Sequence, residues 1–272
     1  MAKTILRGCQ MARIRYLAFL CNQADRIADF YVTHFGLTEM GRSKDGDISL
    51  TDGFANLTFL QMRPKLGEPR MEVGLHHIGI EVDDIEAVKD RYLKFNPNGV
   101  IVPEEGDLHH GTHRIYDPEC NPVSLSMTGF GVKTIEERLP RMRHVAFNAL
   151  YCEGIRNFYV EVLGFREVKT TSLWRKRGEP NRFLGDGHSN LAIHPFYTDN
   201  FGHEARYGVN HFGFLVPELD NLVAALKKVV PIAARPDRPY EDYRARDPEG
   251  NGIDISYTKG FEVDLDKWDL VA

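Results

Sequence analysis

The chain has 272 residues, 42% hydrophobic and 27% charged, which excludes wholesale disorder and leaves room for two small domains with buried cores. A net charge of −5, from 34 basic and 39 acidic side chains, lacks the basic footprint of a nucleic-acid binder. No stretch is apolar enough to span a membrane, residues 1–15 lack a signal-peptide core, and Cys9, Cys21, Cys120 and Cys152 form no CxxC spacing. A cytoplasmic protein with reduced thiols is expected.

In chain order, residues 13–39 read as an alternating strand followed by an amphipathic helix, and the pattern returns at 141–167. The two segments align without a gap, pairing Arg15 with Arg143, Phe30–Tyr31 with Phe158–Tyr159 and Gly36 with Gly164. Gly74-x-x-His77-x-Gly79 returns as Gly208-x-x-His211-x-Gly213, and Asp117-Pro-Glu-x-Asn121 as Asp247-Pro-Glu-x-Asn251. The chain is therefore a duplication of a two-module unit, divided into 1–135 and 136–272.

Each quarter reads as a strand, a helix and about three short strands. In the third, strand 142–149 precedes a helix over 152–163 that Gly164 ends, then strands near 165–171, 181–185 and 190–196. In the fourth, strand 208–216 leads through Pro217 into a helix reaching about 229, and the last strand covers 251–257.

Alternation sorts these strands into two faces. Val145, Phe147, Phe212, Phe214, Ile253 and Ile255 form an apolar face suited to packing under helices. The opposite face is small and polar, a cup with room in it, and carries His144, His194, His211 and Asp254. The equivalent positions of the first half are Tyr16, Leu60, His77 and Ser124, so that half is degenerate and His77 reads as structural. Three imidazoles and a carboxylate on one face suit a divalent metal.

With these modules and motifs the chain resembles the vicinal oxygen chelate superfamily of glyoxalases, bleomycin-resistance proteins and type I extradiol dioxygenases, and most resembles the two-domain dioxygenases. The resemblance implies an α+β fold of four βαβββ modules paired into two open-barrel cups. It implies Fe(II), or alternatively Mn(II) or another divalent metal, held by His144, His211 and Asp254 as a two-histidine, one-carboxylate triad. Asp254 stands where the family carries Glu. His194 takes the position of a fourth ligand in glyoxalase-type relatives. His188 matches the family's acid–base histidine.

Where the family carries a Tyr ten residues before its carboxylate, this chain has Arg244, suited to an anionic substrate, with Tyr243 beside it on the opposite parity. Tyr240, His203 and Tyr257 flank the same module, Tyr257 with core-face parity, and the His109–His113 run reads as a loop. The expected activity is ring cleavage of a catechol-like aromatic with O2. Alternatives are a glyoxalase-like isomerase, epimerase or lyase and a small-molecule binding protein. Relatives are often multimeric, so a homo-oligomer is expected; a nucleic acid or membrane partner is not.

Overall fold

The computed structural model describes residues 12–63, 72–105, 111–133, 136, 138–168, 175–176, 179–196, 207–238, 240–257 and 261. The first half runs β1 (Arg13–Cys21), α1 (Ala24–Phe35), β2 (Thr38–Arg42), β3 (Ile48–Thr51) and β4 (Asn56–Gln61). Then follow β5 (Gly74–Glu81), α2 (Ile85–Phe95), β6 (Val102–Pro103), β7 (His113–Tyr116) and β8 (Pro122–Ser126).

The second half runs β9 (Arg141–Ala149), α3 (Cys152–Glu161), β10 (Arg166–Glu167), a small ribbon of β11 (Arg175–Lys176) and β12 (Glu179–Pro180), β13 (Arg182–Gly185) and β14 (Asn190–Pro195). It ends with β15 (Gly208–Leu215), α4 (Asp220–Leu226), β16 (Ile232–Ala234), β17 (Tyr243–Arg246) and β18 (Gly252–Ser256).

Four βαβββ modules are thus present, and each half builds one eight-stranded sheet among the described residues. The orders are β2-β3-β4-β1-β5-β8-β7-β6 and β10-β13-β14-β9-β15-β18-β17-β16. The leading strands of paired modules lie antiparallel at each centre, β1 against β5 and β9 against β15. Each leading strand pairs in parallel with the last strand of its own module. These centres are where the four cup positions meet.

The helices end where local chemistry dictates. Gly36 and Gly164 take φ of 62° and 75°, a conformation that favours glycine, and stop α1 and α3. α3 ends at Glu161, two residues before the expected 163, because the chain already turns toward Gly164. α4 ends at Leu226 rather than about 229; the amides of Val229 and Val230 both turn back to the Leu226 carbonyl. The strand expected near 165–171 is described only at Arg166–Glu167 and a bridge at Val168; residues 169–171 lie outside the described residues.

One apolar core joins both halves. Phe19, Tyr31 and Phe35 meet Phe212 and Phe214, with Phe35 stacked on Phe214 at 4.7 Å, while Tyr92 and Phe95 of α2 meet Phe158 of α3. Buried carboxylates tie the halves reciprocally. Asp52 accepts the Met142 amide at 2.6 Å and Asp186 accepts the Ile14 amide at 2.7 Å, each also gathering two amides of its own turn.

The repeated Asp-Pro-Glu-x-Asn runs are tethers of the same kind. Asp247 folds its loop by accepting the Glu249 and Asn251 amides. Glu249 then accepts the Asn22 and Gln23 amides ahead of α1, and Asn251 accepts the Leu75 amide. In the mirror arrangement Glu119 accepts the Tyr151 amide ahead of α3.

Candidate metal centre

Strand register assembles the centre. Gly213 of β15 lies opposite His144 of β9 on one side and Asp254 of β18 on the other. With no side chain at Gly213, the Phe261 ring lies over it, and the His144, His211 and Asp254 side chains gather beside that ring. Their ligand atoms all lie within 4.8 Å of one another, and all three residues are buried. The Nε2 atoms of His144 and His211 are 3.4 Å apart, and His211 Nε2 is 3.4 Å from Asp254 Oδ2.

The outer face of each imidazole determines what the inner face offers. His144 Nδ1–H donates to Asn190 Oδ1 at 3.0 Å, and His211 Nδ1–H donates to Asn210 Oδ1 at 2.6 Å. Both protons therefore sit on Nδ1, and two Nε2 lone pairs face each other in the cup. Burial, reinforced by the neighbouring His211, pushes the His144 imidazole down to about 3, so it is neutral and ready as a ligand at neutral pH. Burial alone would push the Asp254 carboxyl up; the Arg244 guanidinium, with His211, overrides this and holds it well below the usual carboxylate range.

These residues fit a divalent metal. Two Nε2 atoms and a carboxylate oxygen converge, and ligand atoms bonded to one ion at ~2.1 Å lie roughly 3 Å apart when adjacent, close to the two 3.4 Å separations here. Neutral imidazoles with one carboxylate suit a first-row divalent metal.

Arg244 lies inside this group. Its Nε and Nη2 donate to Asp254 Oδ1 at 2.5 Å and Oδ2 at 2.9 Å, and Nη2 also donates to His211 Nε2 at 3.0 Å. The substrate-facing arginine expected from the sequence is thus engaged by two of the candidate ligands. Tyr243, one residue away, faces the other side of β17 and packs half-buried against the main core, as strand alternation requires. It is not brought to the centre.

His194 reaches the rim of the centre. Its ring lies nearly parallel to that of His211, 11° between planes and 6.0 Å between centroids, and it stands outside the group of three ligand atoms. It is half-buried and, among the described residues, has no hydrogen-bond partner. Burial and the neighbouring His211 and His144 push its imidazole well below the usual range. His188 stands on the turn held by Asp186, with its ring 5.3 Å from that of Phe54 in the first half. The structure therefore places it against the other domain, outside the three-ligand group.

Other expectations fall elsewhere. Tyr257 lies past the end of β18 and is 47% exposed, so its core-face parity does not carry into packing. Tyr240 is buried in the cup with Phe183, Ala146, Val168, Ala192 and Phe261. His113 opens strand β7 rather than lying in a loop; His109, His110 and His203 lie outside the described residues.

Four neighbours escaped the sequence reading. Asn190 and Asn210 orient the imidazoles. Phe261 stacks on His144, 5.1 Å between centroids and 3° between planes. Its signal is a Gly-Phe pair after the last strand, present also as Gly129-Phe130. Glu241 is a buried carboxylate raised by burial and by the Asp254 charge, and nothing in its spacing marks it.

The first half shows the same cup filled. Tyr16 stacks on Phe130 at 4.8 Å, with Ala18 and Leu60 beside them, and His77 Nδ1 meets His76 Nδ1 at 2.7 Å. Among the described residues no second group of candidate metal ligands occurs there.

Comparison with known proteins agrees with this architecture. Among solved structures, the 2,3-dioxygenase LapB from Pseudomonas sp. KL28 is similar at a TM-score of 0.68 and 15% identity, over 92% of this chain and 93% of that one. A Mn(II)-bound glyoxalase from Novosphingobium aromaticivorans is similar at 0.69 and 16%, over 94% and 85%. BphC, a halotolerant catechol dioxygenase, is similar at 0.68 and 13%, over 97% and 90%. At such identities the likeness is one of fold. A search of curated proteins returned no match. A model of one family matches twice, over residues 13–125 and 141–255, one match for each sheet. Since these matches take in most of the sequence, the chain belongs to the glyoxalase/bleomycin resistance protein/dioxygenase superfamily.

Proposed function

We propose that this protein is a metal-dependent dioxygenase of the extradiol type, which opens the ring of a catechol-like substrate beside its two adjacent oxygens and places both atoms of O2 in the product. The observation that carries the reading is the group of three ligand atoms with the His194 ring beside it and outside it; three ligands from the chain would leave room on a metal for substrate oxygens and O2. His144, His211 and Asp254 would hold Fe(II). Bound there, the metal would supply Lewis-acid binding of the two substrate oxygens and activation of O2.

The chain's own side chains do the rest. Asn190 and Asn210 keep both ligand lone pairs aimed inward. Phe183, Tyr240 and Phe261 give the cup an aromatic lining suited to a flat ring and keep water from it. In this reading His194, neutral and half-buried beside His211, accepts a hydrogen bond from a substrate hydroxyl at a ring nitrogen. In this proposal it replaces His188, whose ring lies against Phe54.

Oxygen uptake by Fe(II)-loaded protein, measured against a panel of catechols and hydroxylated aromatic acids, tests the proposal. Stoichiometric uptake with loss of the aromatic absorbance is expected; metal-bound protein that consumes no oxygen with any of them refutes it.

A metal-dependent isomerase or lyase is the second reading, in which His194, whose ring lies 6.0 Å from that of His211, would turn inward as a fourth ligand. It predicts that His194→Ala strips metal as thoroughly as His211→Ala. The dioxygenase reading predicts retained metal and lost turnover.

A further inference from the structure

We propose that Arg244 is a resident counter-cation of the metal-free centre, which a divalent metal must displace from Asp254 and His211 before it can bind. The proposal rests on the metal-centre reading above and concerns how that centre fills. Its basis is that arginine and metal need the same His211 Nε2 electron pair and would put two cations on one buried carboxylate. The guanidinium occupies both oxygens of Asp254, at 2.5 and 2.9 Å, and the Nε2 lone pair of His211 at 3.0 Å. Asp254 is only 2% exposed, so without a cation it would be an uncompensated buried charge. Arg244 supplies that cation in a fork that matches a carboxylate. A dication on the same atoms repels the guanidinium and excludes it from them.

The displaced guanidinium has a destination. Glu241 is a buried carboxylate close enough to Arg244 and Asp254 to feel both charges, with Arg235 at 3.6 Å and Arg238 at 4.0 Å. The first half provides an internal comparison. Arg114 stands opposite Ser124 in the register that sets Arg244 opposite Asp254. With no carboxylate across from it, Arg114 turns to Glu104, which also accepts the Ser124 hydroxyl at 3.0 Å. An arginine at this position therefore reaches either the last strand or the acidic group beside it. Metal at Asp254 would switch Arg244 from the first arrangement to the second.

Two measurements test this. Metal affinity of the whole chain is read by Mn(II) titration, following free Mn(II) by electron paramagnetic resonance. Arg244→Gln should bind Mn(II) about tenfold or more tightly. Glu241→Gln, which removes the destination, should bind it several-fold more weakly. Should Arg244→Gln fail to fold, the wild type gives the answer by nitrogen-15 NMR of arginine side chains. One Nε–H resonance, absent in Arg244→Lys, should shift on addition of Zn(II). Wild-type protein that binds metal while this resonance stays unmoved, or while Arg244→Gln binds no tighter, overturns the inference and leaves the metal centre standing. Failure of both wild type and Arg244→Gln to bind Mn(II) or Zn(II) overturns the metal centre itself.

Discussion

Asp254 shows how far one side chain's neighbours decide its chemistry. It is a buried carboxylate whose charge is balanced by a single arginine fork. Removing one member of such a buried pair is expected to cost the metal-free protein about 3–5 kcal/mol, because the other charge is stranded. Asp254→Ala should show this in urea unfolding, and Asp254→Ala/Arg244→Ala should recover a large part of it. Strict additivity of the two single changes would refute the coupling. Parity alone gives the site for Asp254 but says nothing of its partner, since the turn between β17 and β18 sets which cross-strand neighbour it meets.

His144 adds a pH signature. Its folded-state value of about 3 lies below the 6.5 of a free imidazole, so the unfolded chain takes the proton first. Its contribution to stability is complete above about 6.5 and declines as pH falls toward 3, by about 1.4 kcal/mol per pH unit. Metal-stripped wild type should therefore lose stability over that range more steeply than His144→Gln. Parallel curves would count against the assignment.

The strands and helices are where the sequence was most legible. Period-two alternation placed His144, His194, His211 and Asp254 on one face because direction along a strand is a local property. The glycine stop for α3 was readable for the same reason, while the early end of α4 depends on a turn with no glycine to mark it. Gly213 matters through its lack of a side chain. A Cβ there would lie 2.7 Å from the Phe261 ring and 3.1 Å from the Asp254 carbonyl. Gly213→Ala is expected to cost about 1–3 kcal/mol through overpacking and to tilt Phe261 off His144. Thermal unfolding together with Mn(II) affinity checks this; a variant unchanged in both would show that the cup tolerates the methyl.

Across the molecule, the two halves depend on each other through buried carboxylates. Asp52 and Asp186 each accept an amide from the opposite half's leading strand as well as two from their own turn. Replacing either by Ala leaves buried donors without acceptors, at about 1–3 kcal/mol per group. Asp186→Ala should also release the turn that carries His188, seen as faster hydrogen exchange at residues 186–190. Unaltered unfolding midpoints in both variants would refute this coupling.

The amino-acid sequence by itself determined the duplication, the four modules and the cup face on which four candidate ligands lie, because internal repetition and strand alternation are written in local order. Only the tertiary structure decided that Arg244 grips Asp254 and His211, that His194 stands beside the ligand group, that His188 rests on Phe54 and that Phe261 covers His144. Those outcomes depend on register between strands distant in sequence and on loops from both halves meeting, and no local pattern encodes either.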